Sequence, residues 1–479
     1  MNKLILIFFI SFFIISCQQN KKKLLEPQKI SLNGNWEYNG FGKAITISDS
    51  IIKSYHISSA GNVSLSDNNS KEYFDYYTID TLSKDTILLK DGVKIFKLYR
   101  SNKDFNQKIN VNLANDPKYN FEVLWTTFNE QYCYFKERNV NWETLYKKYE
   151  PQIDSGTKPI ELYLIFEKML EEINDSHISI DVPDDLKEDY KSAKNNVASE
   201  NQNENNGALE NKVKSNIIEQ YLEEPKSFNK GSLTYGKINN DIGYLQIQNM
   251  VAMAHYNIPD SLSNKKFWDK WWGNLNEAKN YHDDVREGTR LMMDSIIDDI
   301  GDVKAFIIDL RFNGGGFDDA SVEILNHFVS TNTDFATKKV RLGNGFTEKQ
   351  IMSLYPSKNT FNGKTYVLTS HQTASAAEVF VLGAKKLSNV KTIGSTTEGV
   401  FSDILRKKLP NGWTYGLSNM IYETMAGISY ENVGIEPDHT LNYPKDSKEF
   451  YEYLYEDLKD GDEAIERVIS EIKTINNDI

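Results

Sequence analysis

Ser375, inside Thr373-Ala374-Ser375-Ala376-Ala377-Glu378, is the residue of this chain best placed to act as a nucleophile. The apolar run Tyr366-Val367-Leu368 predicts a buried strand and residues 374–382 predict a helix, so the serine falls at a strand-to-helix turn. Such a turn exposes the hydroxyl and leaves free N–H groups at the helix start, a setting able to hold an oxyanion. The plain alternative is an N-cap followed by a close-packing alanine surface. A hydroxyl is a poor nucleophile at neutral pH, so it needs a base, and the base needs an orienting acceptor. Seven histidines are available: His56, His177, His255, His282, His327, His371 and His439. None stands in H-E-x-x-H or another tight metal spacing, so metal-assisted hydrolysis is disfavoured and no metal is expected. His371 is nearest to Ser375 in sequence but precedes the turn, whereas His177 sits where a predicted helix gives way to a strand.

A second stretch offers backbone chemistry. Ala305-Phe306-Ile307-Ile308-Asp309-Leu310 reads as a strand covered on both faces and runs into Arg311-Phe312-Asn313-Gly314-Gly315-Gly316. Consecutive glycines permit a close approach or positive φ. With no Gly-Lys-Ser/Thr and no G-x-G-x-x-G, an oxyanion-binding backbone fits better than a phosphate cradle, and no cofactor is expected.

Several elements must position these groups. Short β-branched runs between turn residues over residues 30–104 predict a small antiparallel β domain, with Trp36 in its core. Residues 113–182 predict a three-helix unit, built on stripes such as Phe121/Leu124/Trp125/Phe128 and Leu162/Ile165/Phe166/Met169, that ends at Ser176-His177. Residues 183–230, rich in Asn, Glu and Lys, read as a polar linker. Alternating strand and helix signals over residues 231–445 predict an α/β core, and residues 446–479 predict two closing helices. Trp268, Trp271 and Trp272 read as helix packing ahead of a cleft wall.

Composition sets the surroundings. The formal charge of −13 leaves no basic excess for a nucleic-acid partner. Residues 1–16 carry one lysine and an apolar run too short to span a membrane, as a signal peptide does. Ile14-Ile15-Ser16-Cys17 resembles a bacterial lipobox, which implies a lipidated Cys17, a tether over residues 17–29 and a membrane-anchored protein of the bacterial cell envelope, facing periplasm or exterior. Cys133 is the other cysteine, so disulfides cannot staple the mature chain.

Three motifs in order, Asp309-Leu310-Arg311-x-Asn313-x-Gly315-Gly316, Thr369-Ser370-x-x-Thr373-Ala374-Ser375-Ala376-Ala377-Glu378 and Tyr430-Glu431-x-x-Gly434-Ile435-x-Pro437-Asp438, resemble the C-terminal processing peptidases and their tricorn protease relatives. The Ser–Lys version of that family carries a lysine about 25 residues after the serine; here residues 394–403 contain none. The resemblance is therefore to the tricorn-like version. It implies Ser375 as nucleophile, His177 as general base, Glu431 orienting it directly or through Ser176, and an oxyanion hole from Ala376 N–H with Gly315, or alternatively Gly314. It implies a crotonase-like α/β core spiral, and residues 183–230 are too short and polar for the PDZ domain of many members. The expected activity is cleavage of exposed or unfolded polypeptides through an acyl-enzyme. The rival expectations are a decayed, apolar-ligand-binding protein on the same fold, and an esterase or amidase with the same triad.

Overall fold

Alternating apolar and polar residues let one face of each early strand bury while the other stays wet, and these segments form an eight-stranded antiparallel sheet. Its path runs Asn62–Ser64, Ile51–Ile57, Lys43–Ile47, Gly34–Tyr38, Lys94–Ser101, Thr86–Asp91 and Thr78–Ser83, with Asn68–Asn69 paired to Ile51–Ile57. Trp36 is buried in it, with the Arg100 guanidinium 4.3 Å from the ring centroid. The computed structural model describes residues 31–65, 67–194 and 201–477. The chain divides into a short N-terminal unit, residues 1–32, and one compact unit, residues 33–479. The expected signal peptide, Cys17 and the whole tether thus lie outside the described residues. Among those described, no helix is long and apolar enough to cross a membrane.

The helical unit consists of Pro117–Gln131, Trp142–Tyr149 and Pro159–Glu171. Its starts follow from local chemistry. Asp116 accepts from Tyr119 N–H (2.8 Å) with Pro117 in the first turn, and Asn141 accepts from Thr144 N–H (3.0 Å). Phe121, Leu124 and Phe128 on the first helix and Leu162, Phe166 and Met169 on the third bury the predicted stripes. Past Ser176-His177, the strand Ser179–Asp181 pairs antiparallel with Thr414–Ser418, Ile180 opposite Tyr415, which ties the junction to the core by backbone hydrogen bonds.

The polar stretch differs from expectation. It holds the helices Asp184–Lys194 and Asn201–Tyr221 and the strand Glu223–Phe228. Val213 and Ile217, four residues apart, put two fully buried side chains on one face, and they join Leu222, Phe450, Leu454, Ile465 and Val468 in a single apolar cluster. Leu209, Ile218 and Tyr221 pack against the same cluster, so a few apolar residues on one side dock a helix whose composition is that of a linker.

The core is a seven-stranded sheet in the order Glu223–Phe228, Leu233–Ile238, Ile242–Ile247, Ala305–Asp309, Lys364–Thr369, Val390–Gly394, His439–Thr440. The first two pairings are antiparallel and the other four parallel. Ile242–Ile247 and Ala305–Asp309 are buried along their whole length, as strands covered on both faces are. Parallel pairing puts the carboxyl ends of four consecutive strands on one edge, so the loops after Ile247, Asp309, Thr369 and Gly394 emerge side by side, the usual location of a site in open α/β sheets. The Trp271 side chain is fully buried on the helix Asn264–Glu277, while Trp272 is exposed.

Candidate active site

The turn before Ser375 is stitched to the glycine loop. Ser370 Oγ donates to Arg311 O (2.6 Å), Thr373 Oγ1 to Leu310 O (2.9 Å) and Ala374 N–H to Asn313 O (3.1 Å). Beneath them Arg311, fully buried, pairs with Asp309 and Asp462, each at 2.7 Å. This frame holds Ser375 at φ 54°, ψ −123°, a region that costs a non-glycine residue about 1–3 kcal/mol and persists only where the surroundings over-determine it. The helix Ala376–Ala384 starts immediately after, and its first N–H, on Ala376, has no intrahelical acceptor.

Gly315 packs against this turn. A Cβ there would lie 2.7 Å from Ser375 Cβ and 2.9 Å from Ala376 N, and φ is +98° besides. Its own N–H donates to Asn313 Oδ1 (2.9 Å), so it is already engaged. Gly314, the other glycine named from the sequence, is exposed at the tip of the loop, where an added Cβ would meet nothing within 4 Å.

The loop running from Ser395 to Asp403 is the hub of the site. Val400 O accepts from Ser375 N–H (3.0 Å), and Glu398 N–H donates to Thr373 O (3.0 Å). The Glu398 carboxylate accepts from Ser176 Oγ at 2.9 Å. Glu378, three residues into the helix, accepts from Thr397 Oγ1 (2.5 Å), Gly399 N–H (2.7 Å), Val400 N–H (2.7 Å) and Ser375 N–H (3.3 Å). Burial pushes its carboxyl up to about 8, against these donors, which favour the charged form. Gly399 and the loop that carries Glu431 meet backbone to backbone: Asn432 N–H donates to Gly399 O (2.7 Å), and a Cβ on Gly434 would fall 2.2 Å from Thr397 O.

His177 is partly buried beside this hub. Burial lowers its pKa from 6.5, partly offset by the carboxylates of Asp175, Asp403 and Glu398, so the ring is neutral near pH 7. The His177 backbone N–H donates to Asp175 Oδ1 (3.0 Å), and the ring Nδ1 is buried without a hydrogen-bond partner. Glu431 is reached differently from the route through Ser176. Its Oε2 accepts from Phe401 N–H (2.8 Å) and its Oε1 from Arg138 Nη2 (2.6 Å), while Arg138 also donates to Asn174 O and lies 3.6 Å from Asp175. Arg138 thus joins Glu431 to the junction that presents Ser176 and His177. Burial pushes the Glu431 carboxyl up to about 7, opposed by Phe401 N–H and Arg138.

The named residues Ser375, Ala376, Gly314 and Gly315 share one edge, and Ser176, His177 and Glu431 gather on the hub loop that borders it. The sequence motifs assign no role to Arg138, Asp175, Glu378, Glu398 or Asp403. Only Glu378 carries a local signal, the Ser-x-x-Glu spacing of a capping box. Among the described residues no cluster of His, Cys, Asp or Glu is arranged to hold a metal ion. A strained serine before the free Ala376 N–H, held by the same loop whose Asp403 and Glu398 carboxylates act on a neutral imidazole, is suited to acyl transfer.

Residues 241–441 match the family model of peptidase family S41, and residues 113–171 that of the tricorn protease C1 domain. The chain is 28% identical over 178 residues to the tricorn protease of Thermoplasma acidophilum, covering 37% of this chain and 15% of that one. It is 28% identical over 159 residues to the carboxy-terminal processing protease CtpA of Bacillus subtilis, 33% of each. These matches span a third or less of the relatives' own length. A crystal structure of a candidate peptidase from Parabacteroides merdae superposes with a TM-score of 0.51 at 22% identity, covering 74% of this chain and 96% of that one, a likeness of fold.

Proposed function

We propose, from the match of residues 241–441 to peptidase family S41 and of residues 113–171 to the tricorn protease C1 domain, that this protein is a serine peptidase that cleaves exposed or unfolded polypeptides through an acyl-enzyme. The observation that carries the reading is Ser375 held at positive φ in front of Ala376 N–H by the same loop that receives Ser176. Ser375 Oγ attacks the scissile carbonyl carbon while His177 takes the hydroxyl proton. Ala376 N–H and Gly314 N–H receive the charge that develops on the carbonyl oxygen. The C–N bond then breaks as His177 returns the proton to the leaving amine, and water activated by the same ring releases the acyl group. The carboxylates of Asp175, Glu398 and Asp403 favour the transient imidazolium, and Glu431 acts through Arg138 to keep the Ser176-His177 junction in place.

Two finer points belong to the same proposal. The parallel run of the core supports a crotonase-like spiral. Lipid anchoring at the cell envelope through Cys17 rests on the composition of residues 1–17. The deciding experiment pairs peptide turnover with fluorophosphonate labelling. Wild-type protein should label at Ser375, and Ser375→Ala and His177→Ala should lose turnover while remaining folded. Folded wild-type protein that neither labels nor cleaves would sink the reading, and loss in His371→Ala with retention in His177→Ala would move the base to His371.

A further inference from the structure

The tip of one N-terminal hairpin, between the strands Thr86–Asp91 and Lys94–Ser101, enters the core close to the catalytic loops. Val93 N–H donates to Asp319 Oδ1 (2.8 Å), and Val93 O accepts from Lys338 Nζ (3.0 Å). Lys94 Nζ lies 2.8 Å from Asp403 Oδ2. Asp91 Oδ2 is 3.4 Å from Nε2 of the buried His282, whose Nδ1 is 2.6 Å from Asp319 Oδ2. Gly92 makes the approach possible, since a Cβ there would stand 2.0 Å from Asp319 Oδ1.

Each anchor leads to the site. Asp319 lies in the helix Asp318–Leu325, directly after the glycine loop. Asp403 closes the hub loop, two residues beyond the Phe401 N–H that binds Glu431, and its carboxylate is one of the three that act on His177. Burial would raise the Asp403 carboxyl, but Lys94 and Lys338 outweigh it and hold it below its ordinary range. The Lys94–Asp403 pair keeps some solvent contact, the two side chains at 22% and 33% exposure.

We infer that this hairpin tip is a positioning element of the active site, and that Lys94 is its principal residue, fixing through Asp403 the loop that holds Ser375 and flanks His177. The inference gives the N-terminal sheet a working role, and its catalytic consequence rests on the peptidase reading above.

The test compares Lys94→Ala, Lys94→Arg and Lys90→Ala, the last breaking a surface pair with Asp80 on the same sheet. Amide hydrogen exchange over residues 395–403 should rise about tenfold or more in Lys94→Ala, with the core strands unchanged. Turnover of a fluorogenic peptide should fall about ten- to a hundredfold in kcat, as misplacement of catalytic groups does, with KM and the unfolding midpoint little altered. Lys94→Arg should restore most of both, and Lys90→Ala should match wild type. Unchanged exchange in the hub loop overturns the inference whether or not the protein cleaves peptides. Raised exchange with wild-type kcat overturns it as well. Wild-type protein without turnover is a failure of the peptidase reading, and the exchange result then decides this one. If Lys94→Ala does not fold, Asp403→Asn, which keeps the side-chain shape, takes its place with the same criteria.

Discussion

Arg138 Nη2 lies 2.6 Å from Glu431 Oε1, and both side chains are shut away from solvent, at 4% and 0% exposure. The pair bridges two parts of the chain: Arg138 follows the first helix of the helical unit, and Glu431 lies on the late loop that packs on Gly399. Removing one member of a buried pair leaves the other without compensation, which costs roughly 3–5 kcal/mol.

Arg138→Met should therefore destabilise the fold by about that amount, and Arg138→Met with Glu431→Gln by less than the two single changes together. Urea unfolding of the four proteins measures the coupling. Strict additivity would mean that the pair does not act as a unit.

Ser375 is held where an L side chain is strained, so the usual ranking of substitutions inverts. Ser375→Gly should be more stable than Ser375→Ala by about 1 kcal/mol, since glycine adopts positive φ without the steric penalty. Both lack the hydroxyl and neither should label with a fluorophosphonate. A Ser375→Ala protein as stable as Ser375→Gly would show that no strain is stored in the turn.

The two glycines named for the oxyanion hole should respond oppositely. A Cβ on Gly314 meets no neighbour within 4 Å, whereas on Gly315 it collides with Ala374 O and Ser375 Cβ, both at 2.7 Å. Gly314→Ala should keep kcat within a few fold, its N–H being intact, and Gly315→Ala should lose about a hundredfold or more by displacing Ser375. Steady-state kinetics on one peptide settles the order, and a tolerant Gly315→Ala would contradict the packing.

The pH dependence follows from His177. Burial lowers its folded pKa below 6.5, so between the folded value and 6.5 the unfolded chain binds the proton and the folded one does not. Its contribution to stability is thus present above 6.5 and is lost as pH falls through the folded value. As a base the ring must be neutral, so the acid limb of kcat/KM should titrate below 6.5. Asp403→Asn removes a carboxylate that favours the imidazolium and should move the limb lower still. A limb at 7 or above would contradict the burial of the ring.

Much of this arrangement can be read from the chain because its signals are local. The apolar run into Ser375, the glycines after Asp309 and the stripes ending at Ser176-His177 each declare an element and its boundary within a dozen residues or so. Glu378 stands in plain view at capping-box spacing, yet its reach to Thr397, Gly399 and Val400 depends on how a distant loop folds back. Arg138, Asp175 and Asp403 have no periodicity to announce them; each is one charged residue among many, and its partner is chosen by tertiary packing. The docked helix Asn201–Tyr221 is hidden for the complementary reason, since composition averaged over residues 183–230 masks the Val213 and Ile217 that bury and the Leu209, Ile218 and Tyr221 that pack beside them.

Ser176 and Glu398 meet across 222 residues of sequence. Such a contact forms only after the intervening sheet has been laid down, because closing a loop of that length is compensated only by the surrounding core. The tie between the Ser176-His177 junction and the loop that holds Ser375 is then a late acquisition of folding. A half-folded chain has the strand and turn around Ser375 but lacks the contact that seats the Ser176-His177 junction against it.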